Sequence, residues 1–141
     1  MKRISILILL LTIGLSACGR KPPAPLGADA PADNVPNIVG SYALNALDPT
    51  GEQYGGTLTI TNGEQPNEYK FQWLVSGGIH EGMGTLEGNQ LTVTWHSYAE
   101  TDAPVSGTAN YTVTVNGELY GTRSIAGLEI PGTETAYPNE K

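Results

Sequence analysis

Most of the chain after residue 38 alternates apolar and polar side chains with a period of two. The alternation is clearest in four segments, 54–61, 69–75, 91–96 and 111–116, three of which carry threonine at their polar positions. Such a pattern is typical of antiparallel strands that bury one face and expose the other. None of these segments shows the 3.6-residue period of an amphipathic helix. The pattern therefore predicts an all-β domain.

Turn sequences separate the strands at the spacing of a meander. Asn62-Gly63 and Asn116-Gly117 favour tight hairpins, because type I′ turns require positive φ. The predicted strands are 38–46, 53–61, 68–76, 79–86, 90–98, 107–115 and 118–125, with an eighth at 128–136. Seven or eight consecutive short strands without long crossovers predict a small antiparallel up-and-down barrel, in which closure removes the exposed edges.

The amino terminus has the pattern of a secretory signal. Lys2 and Arg3 precede an apolar run at 4–15, which is shorter than the roughly 20 residues that span a bilayer. The run ends in Leu15-Ser16-Ala17-Cys18, which resembles the lipobox of bacterial lipoproteins. In that family the cysteine is lipidated and becomes the new N-terminus.

The lipobox resemblance implies a processing site and a location. It implies a signal peptide at 1–17 and attachment to a membrane through a lipid anchor on Cys18. In Gram-negative lipoproteins an aspartate after the cysteine favours retention at the inner membrane. Because Gly19 stands at that position, the resemblance implies the outer membrane of a Gram-negative host, on either its periplasmic or its outer face.

A proline-rich segment follows the cysteine. Residues 18–36 contain five prolines and show no hydrophobic period. Proline favours the extended polyproline II conformation, so we expect a disordered, semi-stiff tether between the anchor and a folded β-barrel domain at 37–141.

Charge and cysteine content exclude several classes of function. The 141 residues include 14 acidic and 7 basic side chains, and removal of residues 1–17 leaves a net charge of −9. Such an acidic protein lacks the basic surface that binds nucleic acid phosphates. A single cysteine excludes an internal disulfide and any site built from several thiolates. We expect no metal and no other cofactor.

The remaining chemistry is sparse. His80 and His96 are the only histidines, and their spacing gives no metal site, so we interpret them as surface or internally satisfied residues. No serine lies in a nucleophile motif, and the acidic residues suggest no catalytic pair. The sequence therefore predicts that the chain is not an enzyme.

Six aromatic residues share the inward-facing parity of their predicted strands. Their side chains either pack as a solid core or line a cavity for a ligand, and the packed core is favoured because a domain of this size needs their burial. These residues are Tyr42, Tyr54, Phe71, Trp73, Trp95 and Tyr111.

Three further resemblances concern the domain. Ile38-Val39-Gly40-Ser41-Tyr42 is similar to the Gly-x-Trp opening of avidin-like and lipocalin-like barrels, with tyrosine in place of tryptophan. The turn and core pattern between residues 54 and 134 resembles secreted bacterial proteins, some labelled fibronectin-binding. The run from Ser106 to Tyr111 resembles the Ser-Gly-Ala-x-Tyr signature of membrane-bound inhibitors of C-type lysozyme, although it is one residue longer.

The leading functional hypothesis is a non-catalytic envelope lipoprotein. Its barrel would bind a macromolecular partner, a protein or a glycan, in the manner of a lysozyme inhibitor or an adhesin. The alternative hypothesis is a carrier that holds a small hydrophobic ligand inside the barrel.

Overall fold

Eight antiparallel strands close into a single barrel. The computed structural model describes residues 24–76, 78–98 and 104–139, so the predicted signal peptide and Cys18 lie outside the described residues. Each strand pairs with its neighbours in chain order, and the last pairs with the first. The strands are β1 (Gly40–Leu47), β2 (Gln53–Asn62), β3 (Glu68–Val75), β4 (Gly78–Glu87), β5 (Gln90–Tyr98), β6 (Ser106–Val113), β7 (Leu119–Arg123) and β8 (Gly132–Pro138).

The all-β, up-and-down prediction is confirmed, with eight strands. The largest difference in position concerns the eighth strand, predicted at 128–136 and observed from Gly132 to Pro138. A turn occupies the residues before it, where the Leu128 N–H donates to the Ile125 carbonyl and Gly127 has a φ of 89°. In the described part of the chain, no helix is long and apolar enough to cross a membrane.

The barrel interior is filled by the inward-facing side chains. In β5, for example, Leu91, Val93 and Trp95 are buried, whereas the residues between them are exposed. An eight-stranded barrel is just wide enough for its side chains to fill. Residues from every strand except β4, together with Ile38, form this core. Its members are Ile38, Tyr42, Leu44, Leu58, Ile60, Phe71, Trp73, Leu91, Val93, Trp95, Ala109, Tyr111, Val113, Leu119 and Ala136.

The two ends of the barrel differ. At one end, which we call the closed end, lie the turns at 63–67, 88–89 and 114–118, the start of β1 and the end of β8. At the other end, which we call the open end, lie the connections at 48–52 and 124–131 and the β3–β4 turn.

Residues 27–39, which we call the N-terminal strap, cover the closed end. The Ala30 N–H donates to the Val113 carbonyl at 2.9 Å, and the Val115 N–H donates to the Ala28 carbonyl at 2.8 Å. Ala30 and Ile38 are fully buried against the barrel. Ordered contacts therefore begin about ten residues before the predicted domain start at 37. The composition of the segment does not reveal this pairing, because its partners lie more than 80 residues away in sequence.

Candidate functional site

A pocket of about 310 Å³ occupies the open end of the barrel. Apolar side chains, two acidic residues of the β1–β2 connection and four interior residues surround it, so the pocket offers both polar and apolar contacts. The lining consists of Leu47, Asp48, Pro49, Glu52, Gln53, Tyr54, Val75, Ser76, His80, Trp95, Arg123, Ile125 and Gly132.

Below this pocket, the buried carboxylate of Glu134 organises the polar interior. Its Oε1 accepts hydrogen bonds from Trp73 Nε1 at 2.8 Å and from the Tyr111 hydroxyl at 2.6 Å. Its Oε2 accepts from the Tyr54 hydroxyl at 2.9 Å and from Arg123 Nη1 at 3.4 Å. A buried charge is tolerated only when it is paired and hydrogen-bonded, and Glu134 meets both conditions.

Arg123 lies between the Glu134 carboxylate and the pocket. Its guanidinium carbon is 4.6 Å from the ring centroid of Trp73 and 4.0 Å from that of Trp95, so both indoles interact with the cation. The Arg123 side chain is 6% exposed and that of Glu134 is fully buried. The ion pair is therefore shielded from solvent, and its strength depends on the surrounding protein rather than on salt.

His80 lines the pocket and contacts both Arg123 and Trp95. Its Nδ1 is 2.6 Å from Arg123 Nη2, and its ring stacks on Trp95 with centroids 5.1 Å apart. Because a guanidinium only donates, Nδ1 is the acceptor and the proton of the neutral ring lies on Nε2. Burial and the neighbouring Arg123 charge both lower the pKa of His80, which keeps this imidazole neutral.

The tyrosines of the interior are held in their protonated form. Burial and the Glu134 carboxylate raise the pKa values of Tyr54 and Tyr111 well above the usual 10, since an anionic ring would lose its hydrogen bond to that carboxylate. Near the closed end, burial raises the pKa of Tyr42 to about 12, and its hydroxyl donates to the Ile38 carbonyl at 2.7 Å. These hydroxyls act as fixed donors.

Two buried donors of the group have no acceptor in the described structure, Trp95 Nε1 and Arg123 Nε. Buried donors without an acceptor are rare, because burial removes the hydrogen bond to water and no hydrogen bond within the protein replaces it. Both belong to residues that line the open-end pocket. The Glu134 carboxylate therefore has a full set of hydrogen bonds, whereas two buried donors on the Arg123 side have no acceptor within the described part of the chain.

The two buried charges beside the pocket are paired with each other rather than exposed to it. The Glu134 carboxylate is engaged by four donors and is sealed from the pocket, so it has no free lone pair facing a substrate. Within the ranges the structure describes, no three or more histidine, cysteine or acidic side chains converge as a metal site. What the pocket offers is a shaped recess whose inner wall is held rigid by an ion pair.

The structure separates the six aromatic residues predicted as core or ligand lining. Tyr54 and Trp95 line the pocket, and Trp95 also belongs to the packed core, whereas the remaining four lie in the core without lining this pocket. His96 is exposed on the outer wall, while His80 faces inward. The four core residues that do not line the pocket are Tyr42, Phe71, Trp73 and Tyr111.

The sequence run that resembles lysozyme inhibitors has its last member inside the barrel. Tyr111 is fully buried with its hydroxyl on Glu134, so its side chain offers no surface to a partner. Ser106, at the start of the run, is exposed at the open-end terminus of β6.

The two charged residues of the interior, Arg123 and Glu134, were not predicted as site residues from the sequence. The signal was present, because Arg123 shares the parity of Leu119 and Glu134 that of Ala136, and both of these apolar residues are buried. Oppositely charged side chains at inward-facing positions of two neighbouring strands indicate an ion pair inside the barrel. The uncertain start of the eighth strand concealed it.

Comparison with known proteins supports the fold and nothing more specific. A solved structure described as a redesigned beta barrel matches with a TM-score of 0.57 and 16% sequence identity, over 73% of this chain and 92% of that one. No protein-family model matches the chain, and no curated protein matches its sequence. The chain therefore has the fold of a small closed eight-stranded antiparallel β-barrel.

Proposed function

We propose that the chain is a lipid-anchored cell-envelope protein whose barrel is a non-catalytic binding module with a macromolecular partner. The observation that carries the binding role is the open-end pocket, a recess of about 310 Å³ beside the Trp95–Arg123–His80 group and its two buried donors without an acceptor in the described structure. Concave sites of this size, with few and well-placed polar groups, are typical of binding sites. The N-terminal strap covers the opposite end, where a recess of about 270 Å³ has no such buried polar group among the described residues.

The anchor part of the proposal rests on the sequence around Cys18. A thioether-linked lipid requires a thiol at that position, and Cys18 is the only cysteine in the chain. Several acyl chains on one residue hold a protein stably at a membrane, whereas one chain of about 14 carbons does not. An outer-membrane location in a Gram-negative host follows from Gly19 by the same resemblance.

Intact-mass measurement and detergent partitioning test the anchor. The full-length chain expressed in bacteria should yield a mature species that begins at Cys18, carries the added mass of acyl chains and enters the detergent phase. Cys18→Ser should remain an unprocessed precursor that keeps residues 1–17 and carries no acyl mass. A wild-type protein without acyl mass, or the same acyl mass on both proteins, would overturn the anchor.

Binding is tested with the soluble domain and defined partners. Inhibition of a C-type lysozyme tests the version suggested by the Ser106–Tyr111 resemblance. Immobilised domain exposed to solubilised envelope proteins and to peptidoglycan fragments tests the broader one. Loss of a reproducible partner in both experiments would contradict a macromolecular role.

The alternative, a carrier of a small hydrophobic ligand, has less room in this barrel. The fifteen core side chains occupy its interior, so such a ligand would have to sit in the open-end pocket. Native mass spectrometry of the purified domain should then show a co-purifying apolar molecule that Trp95→Ala removes.

A further inference from the structure

Exposed apolar side chains concentrate at the open end of the barrel. Ten large apolar residues are exposed in the described structure, and seven of them lie at this end, which we call the apolar rim. Scattered exposed apolar residues are ordinary, whereas a concentration of them marks an interaction surface. The rim consists of Leu47, Leu74, Ile79, Tyr98, Val105, Leu128 and Ile130.

Three members of the rim form a continuous row across neighbouring strands. Leu74 of β3 lies directly opposite Ile79 of β4, and Ile79 lies opposite Tyr98 of β5. Directly opposed side chains on one face are about 5 Å apart, so Ile79 is in contact range of both Leu74 and Tyr98. They are 60%, 39% and 69% exposed. Val75 and Ser76, which follow Leu74 in the chain, line the open-end pocket, so the row lies on the outer wall at the edge of the pocket.

The charges near this surface are negative. Glu52 and Glu129 are exposed in its two flanking connections, and Asp48 is half-buried beside them. The structure describes two basic side chains, of which Arg123 is buried and paired with Glu134, while Lys70 lies towards the closed end. A complementary surface would therefore combine apolar side chains with positive charge.

The position of the strap argues that this surface does not face the anchoring membrane. The strap lies at the closed end, and the nine residues 18–26 precede Gly27. In polyproline II geometry these residues span about 28 Å, whereas strands of 8–10 residues tilted in a barrel give it a length of roughly 20–25 Å. Contact between the open end and the lipid would require the segment to run almost taut along the whole barrel. An acidic domain is also repelled by anionic headgroups.

From these observations we infer that the open end, comprising the apolar rim and its pocket, is a docking face for a second protein with a basic surface. The inference rests on the proposed function for its anchor and for a macromolecular partner. It adds which face binds, the chemistry of the partner, and that the partner approaches from the side away from the anchoring membrane. We expect Tyr98 to contribute the most binding energy, since tyrosine is among the residues enriched where interface binding energy is concentrated.

Site-specific photo-crosslinking of the full-length chain in its own cells tests this inference. A benzoylphenylalanine side chain is placed at Tyr98, at Ile79, or at the control position Val115, whose 49% exposure lies between those of the other two but which is at the closed end. We expect one protein adduct at positions 98 and 79 and none at 115. Mass spectrometry should identify the adduct as a protein with more Lys and Arg than Asp and Glu on the cross-linked domain.

A titration with the identified protein gives the second measurement. Ile79→Ser and Tyr98→Ser should each weaken binding about tenfold or more, whereas Met83→Ser, an exposed change on the same outer wall, should alter it less than about twofold. Increased salt should weaken the wild-type complex, because opposite charges attract across its edge.

The outcomes separate this inference from the proposed function. Adducts found only at position 115, or adducts at 98 with lipid, with an acidic protein or with a second copy of this chain, would overturn the docking face while leaving the anchor intact. Equal loss of binding in Met83→Ser and Tyr98→Ser would do the same. The absence of an adduct at all three positions would overturn the docking face together with the macromolecular role.

Discussion

The buried Arg123–Glu134 pair supports a quantitative prediction about stability. Removal of the carboxylate by Glu134→Ala would leave Arg123 unpaired in the interior, at a cost of about 3–5 kcal/mol. It would also orphan three neutral donors, each worth about 1–3 kcal/mol. The sum is comparable to the whole stability of a domain, about 5–15 kcal/mol. We therefore expect Glu134→Ala not to fold.

A double-mutant cycle with shape-conserving changes is more informative. Glu134→Gln keeps an acceptor near Tyr111 and Trp73 but leaves the Arg123 cation uncompensated, so we expect a loss of about 3–5 kcal/mol. Arg123→Met leaves the Glu134 anion with its three neutral donors, which compensate part of the charge. We expect a smaller loss of about 2–3 kcal/mol for this variant.

The combined variant tests whether charge pairing is the reason for both losses. Arg123→Met with Glu134→Gln removes both charges and retains most of the hydrogen bonds, so it should be no less stable than Glu134→Gln alone. The free energy of unfolding is measured by urea titration, with tryptophan fluorescence and far-ultraviolet circular dichroism as independent probes. Additive losses in the double variant would refute the pairing argument, because independent sites add and coupled ones do not.

The remaining predictions concern the strap, the interior histidine and the strand glycines. Deletion of residues 24–36 should lower the free energy of unfolding by about 3 kcal/mol or more, since it removes five hydrogen bonds to the barrel worth about 0.5–1.5 kcal/mol each; an unchanged urea midpoint would contradict a structural role. Because the pKa of His80 is lowered on folding, the unfolded chain binds more protons near pH 6, so this residue should make stability fall as the pH drops below about 6.5. His80→Gln should flatten that dependence, as measured by urea unfolding between pH 5 and 8. Finally, Gly121→Ala should prevent folding because its new carbon overlaps a backbone carbonyl of β6. Gly127→Ala, in open space at a φ of 89°, should cost only about 1–2 kcal/mol, and similar melting temperatures for the two variants would refute the steric argument.

The strands were predictable because their signal is local. Alternation in β2, β3, β5 and β6 and the Asn-Gly turns place the chain in an all-β meander, and consecutive hairpins then favour an up-and-down barrel. Burial of Trp73 and Trp95 follows from the same parity. Predicting the strands and the barrel required only the pairing of strands that are consecutive in the chain.

The candidate site was less predictable because it depends on distances across the barrel. Parity places Arg123 and Glu134 inward, but their meeting with Tyr54 and Tyr111 depends on the stagger with which β8 closes against β1. The strap was missed for a similar reason, since Ala30 pairs with a residue 83 positions away. Proline content describes the freedom of the chain locally and carries no information about a distant partner.

The order of the strands has a consequence for the kinetics of folding. Seven of the eight strand pairings join neighbours in the chain, and each can form as a hairpin with a small loss of chain entropy. The eighth pairing, between β1 and β8, joins residues about 90 positions apart, so its formation loses the most chain entropy and should be the slowest step. Glu134 lies on β8, and its donors come from β2, β3, β6 and β7. Glu134 and its four donors therefore come together completely only when the barrel closes. Loss of these hydrogen bonds should increase the rate of unfolding more than it decreases the rate of hairpin formation.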